Sequence, residues 1–122
     1  MESARELGAE HLVHAGEEDA AAAIQRLGGA DVAIATAVSP VAFEQALGSL
    51  ARGGTLVCVG LPADNEIKVP VFETVLGGLT IHGSIVGTHR DLEEVFELHR
   101  RGQTRVLRTE CGLDDVNEAA RR

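Results

Sequence analysis

Three short runs of small apolar residues recur along the chain, separated by stretches with helical spacing that end in glycine. The runs are Asp31 to Ala37 (Asp-Val-Ala-Ile-Ala-Thr-Ala), Thr55 to Val59 (Thr-Leu-Val-Cys-Val) and Thr80 to Val86 (Thr-Ile-His-Gly-Ser-Ile-Val). Runs without polar alternation suit strands covered on both faces, the state of a parallel sheet between helices. Strands that alternate with helical segments form βαβ units. The pattern therefore predicts an α/β fold with a doubly wound parallel sheet flanked by helices.

The intervening segments carry their own start and stop signals. Glu2 to Leu7 reads as the tail of a helix closed by Gly8, because a glycine at the end accepts the left-handed conformation. His11 to His14 reads as a short strand. Glu17, Glu18 and Asp19 then place acids on the first turn of a helix. Its stripe is Ala20, Ala23, Ile24 and Leu27, and Gly28-Gly29 ends it. Ser39-Pro40 opens the next helix, with Ser39 as a side-chain cap and a proline whose missing N–H costs nothing there. Phe43, Ala46, Leu47 and Leu50 form its buried stripe, and Gly53-Gly54 stops it. A short helical piece spans Phe72 to Leu76 before Gly77-Gly78. Thr88 and Asp91 resemble a capping box, followed by a stripe of Leu92, Val95, Phe96 and His99 that Gly102 closes. Arg105 to Thr109 reads as an exposed strand, and Asp114 caps a last helix.

Length and charge set the class. The 122 residues suit one domain, large enough to bury roughly two-thirds of its unfolded surface without a staple. A formal net charge of −8 argues against nucleic acid, whose phosphates reward clustered Lys and Arg. No apolar run reaches the roughly 20 residues of a membrane span, and the opening residues lack the order of a secretory signal. A cytoplasmic location is expected. Cys58, inside an apolar run, and the distant Cys111 suggest no disulfide framework.

No motif announces chemistry. His11 and His14 have a spacing that suggests metal ligands, but on a strand residues i and i+3 face opposite sides. His82 on a strand and His99 on a helix stripe read as structural, and His89 as solvated. There is no Gly-x-Ser-x-Gly elbow, no Gly-x-Gly-x-x-Gly and no Walker pattern. Cys58 reads as core, since a reactive thiolate wants an electropositive, open setting. What remains is position: ligands of open parallel sheets lie beyond the carboxyl ends of the strands. The ends Thr36-Ala37-Val38-Ser39, Val59-Gly60-Leu61-Pro62 and Ser84-Ile85-Val86-Gly87 are small or apolar and uncharged.

These segments resemble zinc-dependent alcohol dehydrogenases of the medium-chain superfamily, its bacterial NAD-preferring members above all. The likeness runs through Ala35-Thr36-Ala37-Val38-Ser39 with Ala42-Phe43, Arg52-Gly53-Gly54-Thr55 into Val59-Gly60-Leu61-Pro62, and Gly83 to Thr88 with Arg90 to Glu94. It continues to Leu113-Asp114-Asp115-Val116-Asn117-Glu118-Ala119. The resemblance implies a Rossmann-type domain in which Thr36, Ala37 and Val38 line the adenosine side of NAD. It places Val59, Gly60 and Leu61 beside the nicotinamide riboside, and gives Ser84, Ile85 and Val86 backbone hydrogen bonds to the carboxamide. It also implies a homodimer paired through the strand from Thr80 to Val86.

By the same resemblance, residues 1–103 are βα units and 104–122 a strand and helix leading back toward a catalytic domain, all within one partial dinucleotide-binding domain. The family's first two strands, its glycine-rich turn, its ribose-binding acid and its zinc ligands have no counterpart here. The chain therefore reads as a fragment with no catalytic or metal-binding residue of its own and at most feeble NAD affinity. The alternatives are a small α/β binding or oligomerisation module, or a non-functional truncation product. In the strand order 3-2-1-4-5-6, the His11 strand either closes onto the strand at Asp31 or stays loosely attached.

Overall fold

The computed structural model describes residues 2–121, in two compact units divided after Val86. The first unit carries α1 (Glu2–Glu6), α2 (Ala20–Arg26), β1 (Ala30–Ala35), α3 (Pro40–Gly48), β2 (Leu50–Cys58), α4 (Val71–Gly77) and β3 (Thr80–Gly83). Its strands form one parallel sheet in the order β1-β2-β3. The expected α/β architecture is thus present, as three parallel strands with helices between them.

The core forms where α3 lies on the sheet. Phe43 and Leu47 of α3, Ala35 of β1, and Leu50 and Leu56 of β2 are buried together, with Ala30, Ala33, Ala46, Cys58, Ile67 and Leu79 against them. Leu56 is wholly inaccessible. Helix α2 joins this layer through Gln25, whose Nε2 donates to the carbonyls of Gly48 (3.0 Å) and Leu50 (2.9 Å). That side chain satisfies the last carbonyl of α3, which has no partner within the helix, and the first carbonyl of β2.

Several local expectations change. Helix α2 starts at Ala20 with Asp19 as its cap, the carboxylate accepting from the Ala22 N–H at 3.0 Å; Glu17 and Glu18 precede it in a turn hydrogen-bonded to the His14 carbonyl. Ser39 occupies the cap position of α3 without a side-chain bond, while Pro40 sits at the first turn as expected. Gly53-Gly54 does not stop α3. Ser49 does, its buried hydroxyl donating to the Ala46 carbonyl at 2.7 Å. The glycine pair lies inside β2, where the register with β1 shifts between Ala30 and Val32. Gly53 takes a φ of 76°, and a Cβ on Gly54 would stand 2.9 Å from the carbonyls of Ala30 and Ala51. Leu50 therefore belongs to the strand, not to the helix stripe.

Both outer strands are shorter and barer than expected. β1 ends at Ala35, and Val32 and Ile34 are 57% and 65% exposed. They point away from the face that α3 covers, because side chains alternate along a strand. β3 ends at Gly83 and is exposed throughout. Residues 11–14 form no strand: they neither close onto β1 nor join the sheet, and the turn at His14 ends the segment.

The second unit holds α5 (His89–Arg100), a 3-10 turn (Leu113–Asp115) and α6 (Val116–Ala119). The expected capping box is formed. The Thr88 N–H and hydroxyl donate to Asp91 Oδ2 at 2.6 and 2.7 Å, and Thr88 Oγ1 accepts from the Asp91 N–H at 3.3 Å. At the other end Glu97 accepts from Arg100 and Arg101, each at 2.8 Å. His99 Nδ1 lies 3.0 Å from Thr104 Oγ1. The stripe of Leu92, Val95 and Phe96 is exposed rather than buried, since the unit's other elements are two single turns, too small to cover a three-turn helix. Residues 105–109 are not a strand, and the last helix begins at Val116 without a cap from Asp114.

Two outcomes test this account. Leu56→Ala is expected to lower unfolding free energy by about 2–5 kcal/mol in urea; a loss within about 0.5 kcal/mol would contradict its central place. The Thr88 backbone and side-chain bonds hold the Asp91 carboxyl below its ordinary value of 3.8. A depressed carboxyl stabilises the folded state above its unfolded pKa, and that contribution is lost as pH falls through the lower folded value. Amide signals at the start of α5 are therefore expected to persist down to the ordinary carboxylate range and to shift only below it. Asp91→Asn should abolish that acid step.

Candidate functional site

The carboxyl ends of the three strands are tied into one row by backbone hydrogen bonds. The Ala35 carbonyl, last in β1, accepts from the N–H groups of Val59 (3.1 Å) and Gly60 (2.9 Å). The Cys58 carbonyl, last in β2, accepts from the Ser84 N–H at 2.9 Å. The three predicted strand ends are thus neighbours. Between the second and third opens a hollow of about 420 Å³, lined by Cys58, Val59, Gly60, Leu61, Gly83, Ser84, Ile85 and Val86.

Six of the nine residues singled out from the sequence line this hollow: Val59, Gly60, Leu61, Ser84, Ile85 and Val86. The other three, Thr36, Ala37 and Val38, are exposed on the far side of Gly60 and do not line it. They approach it closely all the same. A Cβ on Gly60 would collide with the Ala37 carbonyl oxygen and stand 2.9 Å from that of Thr36. Only glycine lets the first and second strand ends come this near.

Cys58 and Gly83 line the hollow without having been singled out. Cys58 is half-buried and packs against the core, in keeping with its reading as a core residue, while also facing the hollow. As the last residues of β2 and β3, both satisfy the same positional rule that selected their neighbours.

The lining contains no charged side chain. What it offers a ligand is apolar surface, one hydroxyl, one thiol and the backbone groups that follow the last ladder bonds. Such a wall can hold a flat, uncharged group and orient it through peptide N–H and C=O groups. A second hollow of about 250 Å³ includes Leu47, Leu50, Arg52, Glu73 and Leu79 in its lining. It lies at the amino ends of the strands, where open parallel sheets do not place their ligands. Among the described residues, no three His, Cys, Asp or Glu side chains gather as a metal would require. The donor set here does not fit zinc.

A parallel βαβαβ sheet with an uncharged hollow at its carboxyl edge is the layout of one half of a dinucleotide-binding fold. The chain belongs to the zinc-binding dehydrogenase family, whose model matches residues 1–101. An alcohol dehydrogenase of Geobacillus stearothermophilus is 42% identical over 120 residues, which make up 98% of this chain and 35% of that protein. Among solved structures, an alcohol dehydrogenase zinc-binding domain protein from Burkholderia ambifaria superposes with a TM-score of 0.89 at 30% identity, over 98% of this chain and 35% of the other. A protein of Sinorhizobium meliloti described as a zinc-binding dehydrogenase and bound to NADP superposes with a TM-score of 0.77 at 25% identity, covering 86% of this chain and 32% of its own. The chain thus spans about a third of the length of the relatives it matches. No helix among the described residues is long and apolar enough to cross a membrane.

Gly60→Ala tests the close approach. Overpacking against two carbonyls is expected to cost about 1–3 kcal/mol and to lower the melting temperature. Gly83→Ala, whose Cβ would meet nothing within 4 Å, should be tolerated. Equal melting of the two variants would contradict the tie between the strand ends.

Proposed function

We propose that this chain is part of the nucleotide-binding domain of an NAD-dependent alcohol dehydrogenase, an enzyme that moves a hydride between an alcohol or aldehyde and a nicotinamide. The observation that carries the reading is the uncharged hollow at the carboxyl ends of β2 and β3. The nicotinamide riboside lies along Val59, Gly60 and Leu61, and the carboxamide bonds to the backbone of Ser84, Ile85 and Val86. The adenosine side follows Thr36, Ala37 and Val38 beyond Gly60. Residues 1–103 supply the βα units and 104–122 the passage toward a catalytic domain. The exposed edge of β3 is the surface through which two copies pair.

Family membership and the NADP-bound relative support a dinucleotide as the ligand; NAD rather than NADP rests on likeness to NAD-preferring bacterial members. Chemistry is another matter. A zinc-dependent dehydrogenase uses its metal as a Lewis acid on the alcohol oxygen, and among the described residues no donors gather to hold one. Nor does the sequence carry a Gly-x-Gly-x-x-Gly turn, which normally feeds a helix N-terminus that meets the pyrophosphate. A net charge of −8 works against the same phosphates.

Titration of the 122-residue chain with NADH, followed by nicotinamide fluorescence and thermal melting together, tests this. The expected result is weak saturable binding, with a dissociation constant on the order of 1 mM, a small rise in melting temperature and no alcohol oxidation. Absence of saturable binding would remove the nucleotide assignment. Robust turnover would overturn the conclusion that the chain lacks the chemistry of its family.

A further inference from the structure

Two described non-glycine residues adopt positive φ, Asn65 at 54° and Val86 at 34°. The first is ordinary, since asparagine enters the left-handed region at little cost. The second is not. A β-branched side chain there is a true outlier, and such residues collect at ligand clamps and active sites. Val86 stands in the lining of the hollow, and its side chain is 92% exposed. No packing of the valine offsets the backbone strain, and the neighbouring Ile85 is 89% exposed as well. What anchors the segment is the Ser84 N–H on the Cys58 carbonyl, two residues before the outlier.

We propose that the strained turn at Val86 sets how tightly the hollow holds the nicotinamide end of a dinucleotide. This inference rests on the nucleotide reading above. The left-handed form is the one that binds, and valine disfavours it. Part of the chain at any moment therefore has Val86 in an extended, non-binding conformation. A site whose binding form is only partly populated has its apparent affinity reduced by that fraction. The consequence is a looser grip on the nucleotide than an unstrained backbone would give. Val86 acts through its backbone preference, as a positioning residue, and not through side-chain contact.

The test replaces the valine with residues that accept the left-handed region. Val86→Asn and Val86→Gly are compared with the unaltered chain by melting temperature and by NADH titration, with Asn65→Gly as the control outside the site. Val86→Asn is expected to raise the melting temperature and to tighten NADH binding about fivefold, with Val86→Gly moving in the same direction and Asn65→Gly leaving affinity unchanged. A raised melting temperature with unchanged NADH affinity would assign the strain to the chain connection alone and overturn the proposal. Weaker binding by both variants would show that the extended form binds, and overturn it too. An unchanged melting temperature would show that no strain is held. If no chain binds NADH saturably, the nucleotide reading fails and takes this inference with it, whereas the other contrary outcomes leave that reading standing.

Discussion

The hydrogen bonds that leave the last residues of β1 and β2 determine what the remainder of the first unit can be. One carbonyl, that of Ala35, receives two successive N–H groups from Val59 and Gly60, so the chain after β2 is pulled across the end of β1. That crossing is possible only because Gly60 has no Cβ to meet the carbonyls of Thr36 and Ala37. It also requires the two strands to be held in register beneath it. Leu56, fully buried between α3 and the sheet, provides that anchor. Core and site are therefore coupled through a few residues of β2, which runs from the buried Leu56 to the hollow at Cys58 within three positions.

Much of this was legible in the sequence because parallel sheets carry little ambiguity. Short runs of Val, Ile, Leu and Ala that end in glycine or a Ser-Pro pair mark the strands and the turns after them, and which strand ends share an edge follows from strand direction. Thus six predicted residues meet around one hollow. Boundaries were less legible, for identifiable reasons. Gly53-Gly54 looks like a helix stop, yet the stop is Ser49, a polar residue whose burial no local pattern announces. The glycines serve instead a register shift inside β2, which depends on the partner strand and not on neighbours in sequence.

The remaining departures share one cause: a local pattern describes a face, and the face needs something to cover it. His11 to His14 and Arg105 to Thr109 contain alternations adequate for strands, but no ladder partner exists for them among the described residues. Leu92, Val95 and Phe96 repeat with helical spacing, and the helix forms, yet the stripe is open to water. Its formation is explained locally. A complete capping box at Thr88 and Asp91 satisfies its first turn, the N–H groups of Gly102 and Gln103 donate to the carbonyls of His99 and Leu98 at its last, and Glu97 pairs with Arg100 and Arg101 along its surface.

The open face of the sheet follows the same logic. Val32 and Ile34 have the composition of a strand buried on both sides, which is how parallel strands are found; here α3 covers one side and the two side chains on the other are exposed. Among the described residues the outer edge of β1 is equally unpaired, and exposed apolar edges favour association. The relatives matched here are nearly three times as long as the segment they share with this chain. The hollow at the carboxyl edge depends on neither feature. Its walls come from β2, β3 and the turns after them, and these are fixed by Leu56, Gly60 and the bond between Cys58 and Ser84.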